Sequence, residues 1–169
     1  GGEIFEVCTP SMQQVMRFNV KSIRDYSAEG RKSVLDIQNS FDETIRSIDF
    51  AKGNPNISYT VFKPTAMVTD ELLCKASEKR EKLSLNEIRE YRKFRERFMA
   101  LCERAYKNDV RILVDAEDYC FQDAIDELTE EAMRTFNAKR AIVFTTLQMY
   151  RHDRIPYLQK IWQDSQTNK

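Results

Sequence analysis

Short apolar segments alternate with longer amphipathic segments from residue 57 onward, and this alternation most constrains the fold. Residues 57–62, 110–114 and 141–145 are rich in β-branched or aromatic side chains and are too short for helices. Between them, apolar side chains recur every three or four positions, as on one face of a helix. Because strands that alternate with helices form parallel sheets, the sequence predicts an α/β fold.

Local signals indicate where the helices of this part begin and end. Ser84 and Glu87 have the spacing of a capping box, which predicts that a long helix begins near Ser84. Periodic apolar residues predict a further helix over 121–136, and the last predicted helix extends over 155–166. The predicted order from residue 57 is therefore strand, helix, strand, helix, strand, helix.

The first 55 residues show helical periodicity but no strand pattern. Thr9-Pro10 is typical of a helix start with proline in the first position, and residues 34–48 predict a second helix. Gly53 and the proline after it are typical of a helix end. We therefore expect a helical N-terminal segment at 1–55, followed at 56–169 by about three βα units.

Charge and composition exclude several classes of protein. The 27 Lys and Arg residues balance 27 Asp and Glu residues, so a basic nucleic-acid-binding protein is not expected. A hydrophobic content of 41% argues against disorder, and no segment approaches the roughly 18 apolar residues of a membrane span. The N-terminus lacks the pattern of a signal peptide, and the four cysteines have no close spacing, which predicts reduced thiols in the cytoplasm.

The common short catalytic motifs do not occur in the chain. GxGxxG, GxxxxGK, CxxC, HExxH and GxSxG are all missing, so we expect neither a zinc site nor a Rossmann or P-loop nucleotide site. His152, the only histidine, lies in a polar stretch before a helix and is interpreted as solvated or capping. Glu117 and Asp118 beside Asp115 would suit Mg²⁺, but adjacent acids alone are weak support for a metal site.

Polar side chains follow each predicted strand at its carboxyl end. Lys63 follows the first strand, Asp115 the second, and Gln148 lies shortly after the third. Parallel α/β folds place their sites at these strand ends, so the three side chains converge if the strands are neighbours. A cation, an acid and an amide together would bind a carboxylate and a polar ring system. The alternatives are that Lys63 is a surface residue and that Asp115 caps a turn or pairs with an arginine.

Five segments, taken in order, resemble those of one enzyme family. They are Asp-Tyr-Ser-Ala-Glu-Gly at 25–30, Val-Phe-Lys-Pro-Thr-Ala-Met at 61–67, Leu-Val-Asp-Ala-Glu-Asp-Tyr at 113–119, the Phe-Gln, Ala-Ile and Phe-Asn pairs within 121–137, and 144–153. Together they resemble proline dehydrogenase, a flavin-dependent (β/α)₈-barrel enzyme, from about residue 20 onward. The resemblance implies the first three βα units of a parallel (β/α)₈ TIM-type barrel, which is incomplete because a whole barrel takes roughly 250 residues.

The resemblance also implies an activity and its partners. Proline dehydrogenases oxidise L-proline to Δ¹-pyrroline-5-carboxylate, pass a hydride to FAD and then reduce a quinone at the membrane surface. We therefore expect a cytoplasmic protein or one peripheral to the inner membrane, mitochondrial if the source is eukaryotic. Nucleic acid is not an expected partner.

Residue by residue, the resemblance gives Lys63 the role of holding the substrate carboxylate and Asp115 that of the catalytic aspartate. Ala116 matches a position whose backbone lies near the flavin, and Gln148 matches a glutamine that hydrogen-bonds the isoalloxazine ring. Residues 145–147 are Thr-Thr-Leu where the family usually has Asn-Thr-Tyr. The family's Lys-Leu-Val-Arg-Gly-Ala-Tyr motif and its later paired arginines are missing, so the chain alone is expected to be inactive.

Two other interpretations stay open at this point. One is a non-enzymatic α/β interaction module that self-associates through the open edges of its sheet. The other is an aldolase-like barrel in which Lys63 forms a Schiff base with a carbonyl substrate.

Overall fold

A parallel sheet lies at the centre of the computed structural model, which describes residues 5–25, 33–79 and 82–167. Its strands are hydrogen-bonded in the order β1-β2-β3-β4, the order of the chain. The strands are β1 (Ser22–Asp25), β2 (Ile57–Phe62), β3 (Ile112–Val114) and β4 (Val143–Thr145). The helices are α1 (Phe5–Met16), α2 (Val34–Ala51), α3 (Asp70–Lys79), α4 (Leu85–Asn108), α5 (Gln122–Phe136) and α6 (Arg154–Thr167), and short 3₁₀ turns occupy Pro64–Ala66 and Tyr119–Phe121. The predicted alternation of strands and helices from residue 57 is confirmed, except that two helices, α3 and α4, lie between β2 and β3.

Helices cover one face of the sheet and form the core with it. Along β2, Thr60 and Phe62 are buried against the helices, while the alternating residues are only half-buried. The Phe62 and Phe98 rings meet edge to face with centroids 5.2 Å apart. The opposite face is less covered, and there Tyr59 packs edge to face on Phe144 of β4 at 5.2 Å. An open sheet with helices on one side is the arrangement that a barrel wall requires.

The structure adds a strand that the sequence does not indicate. β1 lies within the first 55 residues and pairs in parallel with β2, with Ile23 opposite Tyr59. Its sequence is Ser-Ile-Arg-Asp, and its one apolar side chain is 57% exposed. Because this edge strand has a single apolar residue, its sequence does not alternate between apolar and polar side chains and so does not predict a strand.

Two other features differ from the sequence predictions. Pro10 lies inside α1 rather than at its first position, although it has no N–H to donate to the carbonyl of residue 6. α3 is a separate helix before α4. The dense charge of residues 75–98 hides the periodicity of α3, which packs on α4, α5 and the second 3₁₀ turn.

The expectation that all four cysteines are reduced is wrong for one pair. Cys74 of α3 and Cys120 of the second 3₁₀ turn form a disulfide, with their Cα atoms 5.1 Å apart. The two residues are 46 positions apart, and such a pairing depends on the tertiary fold rather than on local spacing. Cys102 is a fully buried free thiol, and burial raises its pKa.

Within the described ranges, no helix is both long enough and apolar enough to cross a membrane.

Candidate active site

The strand register brings the ends of β2, β3 and β4 to one edge of the sheet. Phe62 lies opposite Val114, and Val114 lies opposite Thr145. Beyond these pairs, the amide of Asp115 donates to the carbonyl of Phe62 at 3.1 Å, and the amide of Thr146 donates to the carbonyl of Val114 at 3.1 Å. The residues that follow the strands therefore start from adjacent backbone positions.

Thr146 ties the loop after β3 to the end of β4. Its hydroxyl donates to the Asp115 carboxylate over 2.8 Å and accepts from the backbone amide of Ala116 over 2.7 Å. One side chain thereby fixes both the Asp115 carboxylate and the peptide plane that follows it. Thr146 is not among the predicted site residues. In the sequence it stands at the end of the third predicted strand, and it matches the threonine of the Asn-Thr-Tyr segment that the resemblance gives for 145–147.

Gln148 reaches the same loop from the β4 side. Its amide nitrogen donates to the carbonyl of Ala116 over 3.4 Å, a long hydrogen bond, and the side chain is half-buried. The structure therefore brings three of the four predicted site residues together, namely Asp115, Ala116 and Gln148.

Glu117 joins this group to the loop after β2, which begins with Lys63. Its carboxylate accepts from the hydroxyl of Thr65 at 2.9 Å and from the backbone amide of Thr65 at 3.3 Å. The backbone of Lys63 caps the 3₁₀ turn that contains Thr65. Lys63 is thus the first residue of a turn that Glu117 holds through Thr65. In the sequence, Glu117 is part of the matching segment 113–119 and a candidate metal ligand.

Glu117 has an unusual charge environment. Burial raises its pKa to about 7, and the charge of Asp115 acts in the same direction. The hydrogen bonds from Thr65 and the charge of Lys63 oppose this shift. Lys63 and Asp115 are therefore both close enough to Glu117 for their charges to act on its carboxyl group.

The other sequence candidates lie outside this group. His152 is exposed in the turn before α6. Among the residues that the structure describes, no three His, Cys, Asp or Glu side chains are grouped to hold a metal ion. The Tyr26–Gly30 part of the first matching motif lies outside the described residues.

Comparison with solved structures identifies the fold. PutA from Bdellovibrio bacteriovorus, inactivated by N-propargylglycine, superposes with a TM-score of 0.76 over 95% of this chain and 18% of its own, at 12% identity. PutA from Corynebacterium freiburgense gives a TM-score of 0.74 over 96% of this chain and 16% of its own, at 16% identity. The predicted α/β fold, as part of a (β/α)₈ barrel, is confirmed.

Comparison with sequences identifies the family. The carbapenem antibiotics biosynthesis protein CarD of Pectobacterium carotovorum is 27% identical over 165 residues, which cover 96% of this chain and 43% of CarD. Mitochondrial proline dehydrogenase 1 of Bos taurus is 40% identical over 67 residues, 40% of this chain and 11% of that protein. The chain thus spans less than half the length of these curated relatives. The family model for proline dehydrogenase matches residues 8–169, and the chain therefore belongs to the proline dehydrogenase family.

Proposed function

We propose that this chain supplies the Lys63, Asp115, Ala116 and Gln148 part of the active site of an FAD-dependent proline dehydrogenase. The observation that carries the proposal is the hydrogen-bonded group of Asp115, Ala116, Thr146 and Gln148 at the strand ends. Barrel enzymes bind substrate at the carboxyl ends of their strands, and this group of polar residues lies at those ends. The arrangement therefore suits the family's reaction. The reaction is the oxidation of L-proline to Δ¹-pyrroline-5-carboxylate.

The substrate roles follow from charge. Lys63 is a cation at the mouth of the barrel wall, and we assign it the substrate carboxylate, with which it would form a charge-assisted hydrogen bond. Asp115 is assigned the role of the catalytic aspartate, which helps to order the site near the substrate amine and the flavin. Its carboxylate accepts from Thr146, so its orientation is set before substrate arrives.

Ala116 and Gln148 fit the flavin by the chemistry of their donors. The Gln148 amide is half-buried at the mouth and makes one long bond of 3.4 Å, which a ring acceptor could replace. The Ala116 backbone contacts this amide through its carbonyl, and its own amide donates to Thr146. FAD, when bound, accepts the hydride that leaves the proline ring. We further infer a quinone acceptor at a membrane surface, with the protein cytoplasmic or peripheral to that membrane, and mitochondrial if the source is eukaryotic.

The test uses two proteins, the complete product of the gene and residues 1–169. We expect the complete product to show a flavin absorbance spectrum and to reduce a dye acceptor when L-proline is added. Because the family's later arginine motifs are not among residues 1–169, we expect this piece alone to show neither stoichiometric flavin nor turnover. A complete product without flavin and without proline-dependent dye reduction would contradict the proposal.

The role of Lys63 is tested by Lys63→Met in the complete product. Loss of a direct charge contact to the substrate carboxylate is expected to raise KM for proline by about 10- to 100-fold, equivalent to about 1.5–3 kcal/mol. Lys107→Met is the matched control, since Lys107 pairs with Glu103 on the surface of α4. An unchanged KM in Lys63→Met would remove Lys63 from the site. Borohydride trapping with a carbonyl substrate tests the Schiff-base alternative, and no adduct at Lys63 is expected.

A second candidate function is a self-associating interaction module. β1 and β4 are the two ends of the sheet order, and Trp162 of α6 is 62% exposed. Exposed edges and apolar side chains favour contact with another chain. A complete gene product that associates but neither binds flavin nor oxidises proline would support this candidate.

A further inference from the structure

A row of buried polar side chains starts at the loop after β3. The backbone amide of Glu117 donates to Gln122 Oε1 over 2.8 Å, and Gln122 Nε2 donates to Asp126 Oδ1 over 2.7 Å. Arg154 Nη1 then donates to Asp126 Oδ2 over 2.7 Å. Gln122, Asp126 and Arg154 are only 1%, 6% and 5% exposed. Together these three side chains form one buried polar network, the relay.

The far end of the relay reaches the loop after β4. Arg154 is the first residue of α6, and its guanidinium also donates to Asp153. Arg151 donates to the same carboxylate over 2.6 and 3.0 Å, and its backbone amide donates to the carbonyl of Gln148 over 3.0 Å. A continuous hydrogen-bonded path therefore runs from the residue after Ala116 to Gln148.

Stability alone does not account for this path. Burying an ion pair is often no better than burying apolar side chains of the same volume. The neighbouring inward positions of α5, Ala124, Ile125 and Leu128, show that apolar residues fit on this face. Three polar side chains in such surroundings are costly unless they are hydrogen-bonded. Each member of the relay makes hydrogen bonds, and among the described residues only Arg154 Nε within it is left without a partner.

We propose that Gln122, Asp126 and Arg154 are positioning residues that hold the Asp115–Ala116 loop at a fixed place relative to Gln148. The relay acts on the back of the two loops, on the helix side of the sheet, while Thr146 joins them at the front. Substrate and cofactor groups on different loops thereby keep one arrangement. This role rests on the proposed function, because it is those groups that need fixed positions for catalysis.

The hydrogen bond between residues 122 and 126 can be reversed in direction while the other two hydrogen bonds of the relay are kept. In Gln122→Glu, the new carboxylate accepts from the Glu117 amide but faces the Asp126 carboxylate. In Asp126→Asn, the new amide cannot accept from both Gln122 and Arg154. The double variant Q122E/D126N restores the pattern, because the carboxylate at position 122 accepts from the Glu117 amide and from the new amide nitrogen at position 126. The new amide oxygen at position 126 then accepts from Arg154, and side-chain lengths and total charge are unchanged.

Thr129→Val is the matched structural control. Thr129 is also on α5 and 1% exposed, and its hydroxyl donates to the carbonyl of Ile125 within the helix. Neither partner of this hydrogen bond belongs to the relay or to the two loops. Loss of the Thr129 hydrogen bond therefore measures how much a buried polar group on α5 contributes to the free energy of unfolding, without an effect on the loops.

The experiment measures two quantities in the complete gene product. The first is hydrogen exchange at the backbone amides of Ala116 and Glu117, and the second is kcat for proline with a dye acceptor. Each single variant is expected to raise exchange at these amides by about tenfold and to lower kcat by about 10- to 100-fold, with a smaller change in KM. The double variant is expected to recover both, and Thr129→Val to change neither beyond its effect on global unfolding.

Two results would overturn the proposal. In the first, the single variants lose stability to the same extent as Thr129→Val, but amide exchange at Ala116 and Glu117 and kcat stay as in the wild type. The other is a double variant that recovers stability but neither loop protection nor kcat. If the wild-type product does not oxidise proline, the proposed function fails, and amide exchange at Ala116 and Glu117 still decides whether the relay positions the loop.

Discussion

At the scale of single residues, Glu117 connects structure to pH. Burial raises the pKa of its carboxyl group from an ordinary value of 4.5 to about 7 in the folded protein. The folded state therefore keeps a proton that the unfolded state releases, and the free energy of unfolding falls as the pH rises from about 4.5 through 7. Glu117→Gln removes this titration. We expect Glu117 to cost the wild type up to about 3 kcal/mol of unfolding free energy between pH 5 and pH 8, and we expect the variant not to show this loss.

Urea unfolding at pH 5 and pH 8 measures this effect. The comparison is the change in unfolding free energy between the two pH values, in the wild type and in the variant, so that other titrating groups cancel. Glu103→Gln on the exposed surface of α4 serves as control and is expected to keep the wild-type dependence. A Glu117→Gln protein that loses as much stability as the wild type would show that Glu117 is ionised throughout this range.

At the scale of elements, α4 depends on the cap at its first turn. The Ser84 hydroxyl accepts from the Glu87 amide at 3.3 Å, and the Ser84 amide donates to the Glu87 carboxylate at 2.9 Å. Since Phe94 and Phe98 of this helix are fully buried in the core, fraying at its start weakens the whole fold. We expect Ser84→Ala to lower the free energy of unfolding by about 1 kcal/mol and Ser84→Asp to retain most of it, as measured by urea unfolding. Equal stability of the two variants would contradict a capping role.

The same elements show what the sequence could predict. The capping box placed the start of α4 at Ser84, and short β-branched runs placed β2, β3 and β4, because these signals depend only on neighbouring residues. β1 escaped prediction because Ile23 is its one apolar residue and the strand is defined by pairing with β2.

The candidate site shows the same difference between features that depend on neighbouring residues and features that depend on tertiary contacts. Lys63, Asp115 and Gln148 could be placed from the ends of the strands and from the family resemblance, and their assigned roles stay predictions. Thr146 and Gln122 lie within segments that match the family, but their roles could not be predicted from the sequence, because these roles depend on partners 31 residues away or one helix turn away. A polar residue on a helical face carries no local sign of the loop that it contacts.

At the scale of the whole molecule, the sheet order places β4 at an edge. The Thr146 amide points toward β3, and since alternate residues of a strand point to opposite sides, the Thr145 amide points toward the open side. The β4 sequence Val-Phe-Thr is uncharged, whereas β1 at the other edge ends in the exposed, charged Asp25, which opposes edge pairing. Val143, the other residue of β4 whose backbone faces this side, is already hydrogen-bonded to the Asn137 side chain, which accepts from the Val143 amide at 2.9 Å and donates to its carbonyl at 2.8 Å. We therefore expect residues 1–169 to self-associate through the Thr145 end of β4.

Thr145→Pro tests this association, because proline removes an outward N–H without removing a bond to β3. Sedimentation velocity over a range of concentrations is expected to show that residues 1–169 associate. Thr145→Pro is expected to lower the affinity of this association by about tenfold or more, because each dimer would lose one backbone hydrogen bond. Thr145→Val keeps the N–H and the branched shape and is expected to associate like the wild type, with circular dichroism verifying that both variants are folded. Equal association of the two variants would exclude the β4 edge, and a stable wild-type monomer at high concentration would exclude self-association altogether.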